Sequence, residues 1–187
     1  MSDIITFNTQ TQAFGQPVFK CSGYGLGAMI KDMHNPKVLE IGCDIGDTTQ
    51  FLLDTNPTCV LTGIDPYANY VDWNGNNLNE REAVYERFTK RLSGYNNRFA
   101  LLREYSDDAA KHVLDNWFDV VFIDGLHEYD QLTKDCSNYY SKLKEGGIFA
   151  GHDYHAIEGV RRAADEFAAK VGREIHITEC DVWYWIK

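Results

Sequence analysis

The chain has 187 residues, 44% of them hydrophobic, which suits one compact domain that buries its own core without disulfides or a structural metal. Lys plus Arg number 18 against 28 Asp plus Glu, a net charge of -10, and this argues against a grip on a nucleic-acid backbone. No apolar run approaches the roughly 20 residues of a membrane span, and Met1 to Gln12 lacks the basic start and apolar stretch of a secretory signal. The expectation is a cytoplasmic protein with neither nucleic acid nor membrane as partner.

In chain order, a short arm over residues 1–36 shows no clear helical pattern. Lys37 to Ile41 (KVLEI) is rich in branched residues and ends at Gly42, a strand followed by a polar turn; Thr48 to Leu53 starts a helix. Val60 to Ile64 is a second strand, closed by Asp65-Pro66. Tyr85, Phe88 and Leu92 recur at helical spacing and are expected to pack. Trp73 lies in a turn-rich stretch and is a candidate pocket residue. Phe99 to Leu102 is a third strand, and Ser106-Asp107-Asp108 offers a capping hydroxyl and acids for a helix start.

Phe118 to Ile123 (FDVVFI) is a strand of the kind buried on both faces. Tyr129, Leu132, Cys136, Tyr139 and Leu143 then mark a helix that Gly146-Gly147 ends, with Ile148 to Ala150 as the next strand. Val160, Ala164, Phe167, Ala168 and Val171 mark another helix. Glu174 to Thr178 and Val182 to Ile186 flank a tight turn, an antiparallel hairpin. Trp117, Trp183 and Trp185 are expected in the core, and most of the five scattered cysteines as small buried hydrophobes. The pattern predicts a single α/β domain over 1–187, with an N-terminal arm (1–36) and a core (37–187). That core is a Rossmann-like three-layer sandwich with a mainly parallel, seven-stranded sheet ending in the hairpin.

In such sheets ligands sit beyond the carboxyl ends of the strands, near the reversal of strand order, and the unusual polar residues fall there. Gly42 and Gly46 allow a tight turn, with Thr48 at the following helix N-terminus. A dinucleotide fingerprint would need a third glycine where Asp44 stands. Glu40 and Asp44 instead suit a ligand carrying a sulfonium and an ammonium. Asp65, 19 residues beyond Gly46, can accept the hydroxyls of a ribose. Asp124 with His127, after the FDVVFI strand, and His152-Asp153, after the next, can share one crevice. Asp124, His152 and Asp153 would offer ligands to a divalent cation, leaving His127 free as a base.

The ordered stretches VLEIGCDIGDTT, GIDPY, REYSDD, FDVVFIDGLHEYD and GGIFAGHDYH resemble a class I S-adenosylmethionine-dependent methyltransferase. The sharper pair, D-G-x-H-x-Y with G-H-D-Y, is similar to the small-molecule O-methyltransferase branch that includes catechol, macrolide-sugar and cephalosporin-biosynthesis relatives. The resemblance implies that Glu40, Gly42, Asp44 and Thr48 surround the methionine end of the cofactor. It places Asp65 on the ribose and Ser106 with Asp107 at the adenine. It further implies that Asp124 and the pair at 152 and 153 hold a magnesium or manganese ion, and that His127 is the general base beside Asp124 and Asp153. His152 departs from the acid usual there, and imidazole suits transition metals better than magnesium.

The activity implied is methyl transfer to a hydroxyl of a small sugar-like or phenolic acceptor. The acceptor pocket would come from the arm and from residues 68–94, with room for a second subunit to complete it as a homo-oligomer. The alternative is a module that binds S-adenosylmethionine or a partner protein without catalysis.

Overall fold

Branched and aromatic side chains that alternate between two buried faces build the centre of the molecule. The computed structural model describes residues 21–72, 74–95, 97–178 and 180–187. Strand β1 (Lys37–Ile41) pairs in parallel with β2 (Val60–Ile64) on one side and β6 (Phe118–Ile123) on the other. Beyond β2 lies β5 (Phe99–Leu102), and beyond β6 lies β7 (Leu143–Gly151), both parallel to their neighbours. The edge is antiparallel: β9 (Trp183–Ile186) pairs with β7, and β8 (His176–Ile177) with β9. The sheet therefore has seven strands in the order β5-β2-β1-β6-β7-β9-β8, and the order reverses between β1 and β6. A separate two-stranded ribbon, β3 (Tyr70–Val71) with β4 (Asn77–Leu78), lies in the segment after β2.

Period-two alternation sends neighbouring residues of one strand to opposite layers. On one face, Leu39, Ile41, Val121 and Ile123 pack with Phe149, Trp183 and Trp185. Helices α4 (Ser106–Ala109), α5 (Tyr129–Tyr139) and α6 (Glu158–Val171) cover that face. On the other, Val38, Val120, Phe122 and Ala150 meet α1 (Cys21–Ile30), α2 (Asp47–Thr55) and α3 (Arg81–Leu92). Phe88 and Leu92 are buried there and Tyr85 packs against them, as their spacing predicts.

Several expectations change. The helix ending in the 140s stops at Tyr139; a 3-10 turn over Tyr140–Lys142 follows, and Leu143 opens β7. Gly146-Gly147 sits inside β7, where the register with β6 shifts between Phe118 and Val120, so the pair marks an irregular strand rather than a helix end. Ser106 is the first helical residue of α4, whose N-cap is Tyr105 without a side-chain cap. Its hydroxyl instead accepts from Gln131 Nε2 at 3.2 Å. Trp117 is 45% exposed, with Lys37 Nζ 3.4 Å from its ring centroid, a cation–π contact in place of core packing. Cys43, Cys59 and Cys136 are free and buried, whereas Cys180 is disulfide-bonded, which the scattered spacing does not signal. Trp73 lies outside the described residues. Among those described, no helix is long and apolar enough to cross a membrane.

Two features of this framework position the site. Gly42, at φ +86°, lies so close to the loop after β6 that a Cβ there would stand 2.2 Å from the Asp124 carbonyl oxygen. On α5, Asp135 is 1% exposed and takes a hydrogen bond from Gln131 Nε2 at 3.2 Å. Burial raises its carboxyl to about 6, against the Ser106 and Gln131 hydrogen bonds.

Gly42→Ala is expected to cost about 3 kcal/mol, combining left-handed backbone strain with the clash. Gly75→Ala, at φ +81° with nothing within 4 Å of the added methyl, should cost only about 1 kcal/mol. Urea denaturation of both variants checks this, and equal losses would mean that the loop after β6 yields. For Asp135, the folded pKa lies above the ordinary 3.8, so its contribution is fully present below that pH and is lost as pH rises through 6. That loss is at most about 3 kcal/mol. Asp135→Asn should therefore gain stability relative to wild type between pH 4.5 and 7.5, and parallel denaturation curves would exclude it.

Candidate functional site

Beyond the carboxyl ends of β1, β2 and β6, at the reversal of strand order, lies a cavity of about 840 Å³. Its first wall is the turn from β1 into α2. Gly42, Asp44 and Gly46 all take positive φ, a run that only glycine and short polar residues tolerate readily. Glu40 is 1% exposed and accepts the Thr49 hydroxyl at 2.6 Å. Burial pushes its carboxyl up to about 8 against that hydrogen bond, and the charges of Asp124 and Asp65 add to the rise. Thr48 shares a hydrogen bond with Ser22 of α1 at 2.8 Å, so the arm reaches the cavity.

Asp65, buried at the end of β2, ties this turn down. Its Oδ2 accepts from the amides of Cys43 and Asp44 at 3.1 and 3.0 Å, and its Oδ1 from Tyr67 at 2.8 Å. Two lone pairs per oxygen leave Oδ1 one acceptor position for a further donor. Tyr67 in turn donates its hydroxyl to the Asp44 carbonyl at 2.8 Å. Ser106, Asp107 and Asp108 also line the cavity, with Gln131 and Asp135 of α5.

On the rim, Asp124 and His127 follow β6, and His152 and Asp153 follow β7. His127 Nε2 lies 3.0 Å from Asp153 Oδ2 and 3.3 Å from Asp124 Oδ1. His152 Nδ1 lies 3.1 Å from Asp153 Oδ1, so one carboxylate bridges two imidazoles. Asp153 has φ +61°, an uncommon conformation for a side-chain-bearing residue. Burial opposes charge on His127, but the Asp124 and Asp153 hydrogen bonds outweigh it and raise the ring to about 9. Burial likewise opposes charge on Asp153, yet bonds from both histidines hold its carboxyl well below the usual range. His127 thus stands outside the three-residue ligand group, with its ring engaged by two acids, Asp153 among them.

Asp124, His152 and Asp153 also place three ligand atoms within 4.8 Å of one another. His152 Nε2 lies 3.1 Å from the Cys180 carbonyl. A carbonyl can only accept, so Nε2 carries a proton; burial opposes a second, yet the Nδ1 contact with Asp153 holds one there and raises the ring, and Nδ1 would give that proton up to hold a metal. The mixed nitrogen and oxygen donor set fits a divalent transition ion better than magnesium.

Of the residues expected at the cofactor from the sequence, Glu40, Gly42, Asp44, Thr48, Asp65, Ser106, Asp107 and Asp124 line this one cavity, and Gly46 does not. Gly46 turns the chain into α2, and His152 and Asp153 lie beside the cavity's Asp124 and His127. Sequence reasoning missed Ser22, Arg81, Gln131 and Asp135. Of these, Gln131 and Asp135 carried a signal, a polar pair at i, i+4 on a helix whose other spacing is apolar.

Residues 39–154 match the family model of the methyltransferase domain. An uncharacterized protein of Acanthamoeba polyphaga mimivirus is 27% identical over 120 residues, covering 62% of this chain and 50% of its own. The chain thus spans about half the length of that curated relative. Among solved structures, the O-methyltransferase NovP superposes with a TM-score of 0.70 at 16% identity, covering 89% of this chain and 79% of its own. A protein described as a putative caffeoyl-CoA O-methyltransferase from Staphylococcus aureus gives 0.67 at 17% identity, covering 89% and 82%. At such identities the superpositions speak for the fold, and the family match speaks for descent. With more than half its length matched, the chain belongs to the methyltransferase-domain family.

Proposed function

We propose that the protein transfers a methyl group from S-adenosylmethionine to a hydroxyl of a small acceptor, with His127 as general base. The observation that carries this reading is the placement of the His127, Asp124 and Asp153 cluster on the rim of the cavity formed by the Gly42–Thr48 turn. Base and cofactor pocket then share one opening. In this reading the acids at 40 and 44 provide the negative field that suits a sulfonium and an ammonium. Asp65 accepts a ribose hydroxyl on its remaining Oδ1 position, while Ser106 and Asp107 face the adenine. When bound, the cofactor supplies a methyl group on a positively charged sulfur, which the acceptor oxygen displaces in line.

The chain's own residues orient the acceptor, and His127 takes its proton only in the neutral form, which a ring raised to about 9 reaches increasingly as pH rises. Asp153 fixes the imidazole plane, and Asp124 sets the second contact at Nε2. Two solved neighbours are described as O-methyltransferases, which favours oxygen over nitrogen as the atom modified. Asp124, His152 and Asp153 would hold a divalent cation. Such an ion would lower the pKa of the acceptor hydroxyl and compete for the carboxylates that keep His127 protonated.

Calorimetric titration with S-adenosylhomocysteine tests the cofactor assignment: binding is expected without added metal, and no binding under any condition would remove it. His127→Ala should reduce turnover on a hydroxylated acceptor by about 100-fold or more, the usual contribution of a positioned base. Its affinity for S-adenosylhomocysteine should stay within about twofold of wild type, and a parallel loss of affinity would make His127 a structural residue. Manganese is expected to bind at least about tenfold more tightly than magnesium. His152→Asp, an all-oxygen set, should narrow that gap, and equal affinities for both ions in wild type would overturn the donor-set argument.

A further inference from the structure

Arg81, the first residue of α3, is the single lysine or arginine among the described residues lining the cavity, against eight that carry carboxyl groups. Its side chain is only 10% exposed. Nη1 lies 2.6 Å from Asp44 Oδ1, and Nη2 lies 3.8 Å from Asp65 Oδ2. The rings of Tyr67 and Tyr70 face the guanidinium, their centroids 5.7 and 5.8 Å from Cζ. Its Nε is buried without a hydrogen-bond partner. A buried donor left unpaired is costly, so the charge contacts and the aromatic walls, rather than complete hydrogen bonding, keep the cation at this place.

That place matters because the two forms of the cofactor differ in charge where they differ in structure. The methyl donor carries a positive sulfur; the spent product carries a neutral thioether. Their relative affinities depend on the electrostatic potential at the sulfur, to which charged side chains lining the same cavity contribute. Asp44 makes that potential more negative, and Arg81 is paired directly with it. We infer that Arg81 sets the pocket's preference between the sulfonium donor and the thioether product. By cancelling part of the field of Asp44 and Asp65, it keeps the donor from being held out of proportion to the product. This inference rests on the cofactor reading above, and Arg81 acts in it through the two acids, as a positioning and charge-balancing residue.

The readout is the ratio of affinities for S-adenosylmethionine and S-adenosylhomocysteine, measured by calorimetry on the full chain. Arg81→Gln is expected to raise the preference for S-adenosylmethionine by about tenfold, from unmasked charge within a few ångströms of the ligand. The increase should shrink in high salt, to the extent that salt reaches the cavity. Asp44→Asn should lower the ratio several-fold, the double variant should return close to wild type, and Arg81→Lys should stay near it. A merely structural role for Arg81 would weaken both ligands together and leave the ratio unchanged. If Arg81→Gln binds both ligands with a ratio within twofold of wild type, the inference is overturned. If that variant binds neither, Asp44→Asn decides, and a ratio that does not fall overturns it equally. Absence of binding of both ligands to the wild-type protein would remove the cofactor reading itself, and this inference with it.

Discussion

The site depends on the contact between the turn after β1 and the loop after β6. Gly42 has no side chain, and the Asp124 carbonyl and Gly125 Cα occupy the space that one would take. Ladder-like bonds continue past the strands on both sides of this contact. Gly42 donates its amide to Ile64 at 2.8 Å, and Asp124 donates to Ile41 at 2.8 Å. The parallel sheet therefore extends by one residue exactly where its strand order reverses, and the three polar strand ends, Gly42–Asp44, Asp65 and Asp124, reach one cavity together. A bulkier residue at position 42 would separate the wall that suits the cofactor from the loop that bears the basic cluster.

The second layer of organisation comes from the antiparallel edge. The hairpin of β8 and β9 contributes no chemistry of its own, yet it fixes the residues after β7. Asp181, at φ +58°, accepts from the amides of His155 and Ala156 and pairs with the His155 ring at 2.6 Å. The Cys180 carbonyl accepts from His152 Nε2 at 3.1 Å, and Trp183 Nε1 donates to the His152 carbonyl at 3.2 Å. Together these bonds oppose the strain of the left-handed Asp153, which leaves its carboxylate between two imidazoles. A terminal hairpin thus sets the orientation of groups about thirty residues earlier in the chain.

What the sequence makes legible follows from how locally each feature is encoded. Strands β1, β2 and β6 are readable to the residue because branched runs end at Gly42, Asp65 or Asp124, and a parallel strand inside the sheet needs such a run. Helix α1 is not, because glycines at 23, 25 and 27 depress helix propensity and its stability comes from packing Leu26 and Ile30 against α2 and the sheet. The irregular β7 is hidden for a similar reason: Gly146-Gly147 looks like a stop until β6 and β9 are there to pair with it. Within the site, motif residues at strand ends are legible as a set. Arg81 is not, since its pairing with Asp44 spans 37 residues and the segment between them has no motif. Asp135 is marked only by its i, i+4 spacing from Gln131, and the packing of α5 on the sheet is what buries it.

The acids of the cavity raise the question of how a fold tolerates so much like charge at one place. Part of the answer is geometric: Asp65 is surrounded by backbone donors, and Arg81 lies between it and Asp44. Part is protonation. Burial raises Glu40 to about 8, so near neutral pH it is mostly the neutral acid, and Thr49 needs no charge on it to donate its hydroxyl. Sign matters here. A raised acid contributes its stability below its ordinary pKa and loses it as pH rises through 8, so the empty pocket becomes less comfortable on the alkaline side. A cation placed beside Glu40 reverses that penalty, because the ionised form then has a partner. The same burial that makes Glu40 costly without a ligand makes its response to a positively charged one strong, since few waters compete for the interaction.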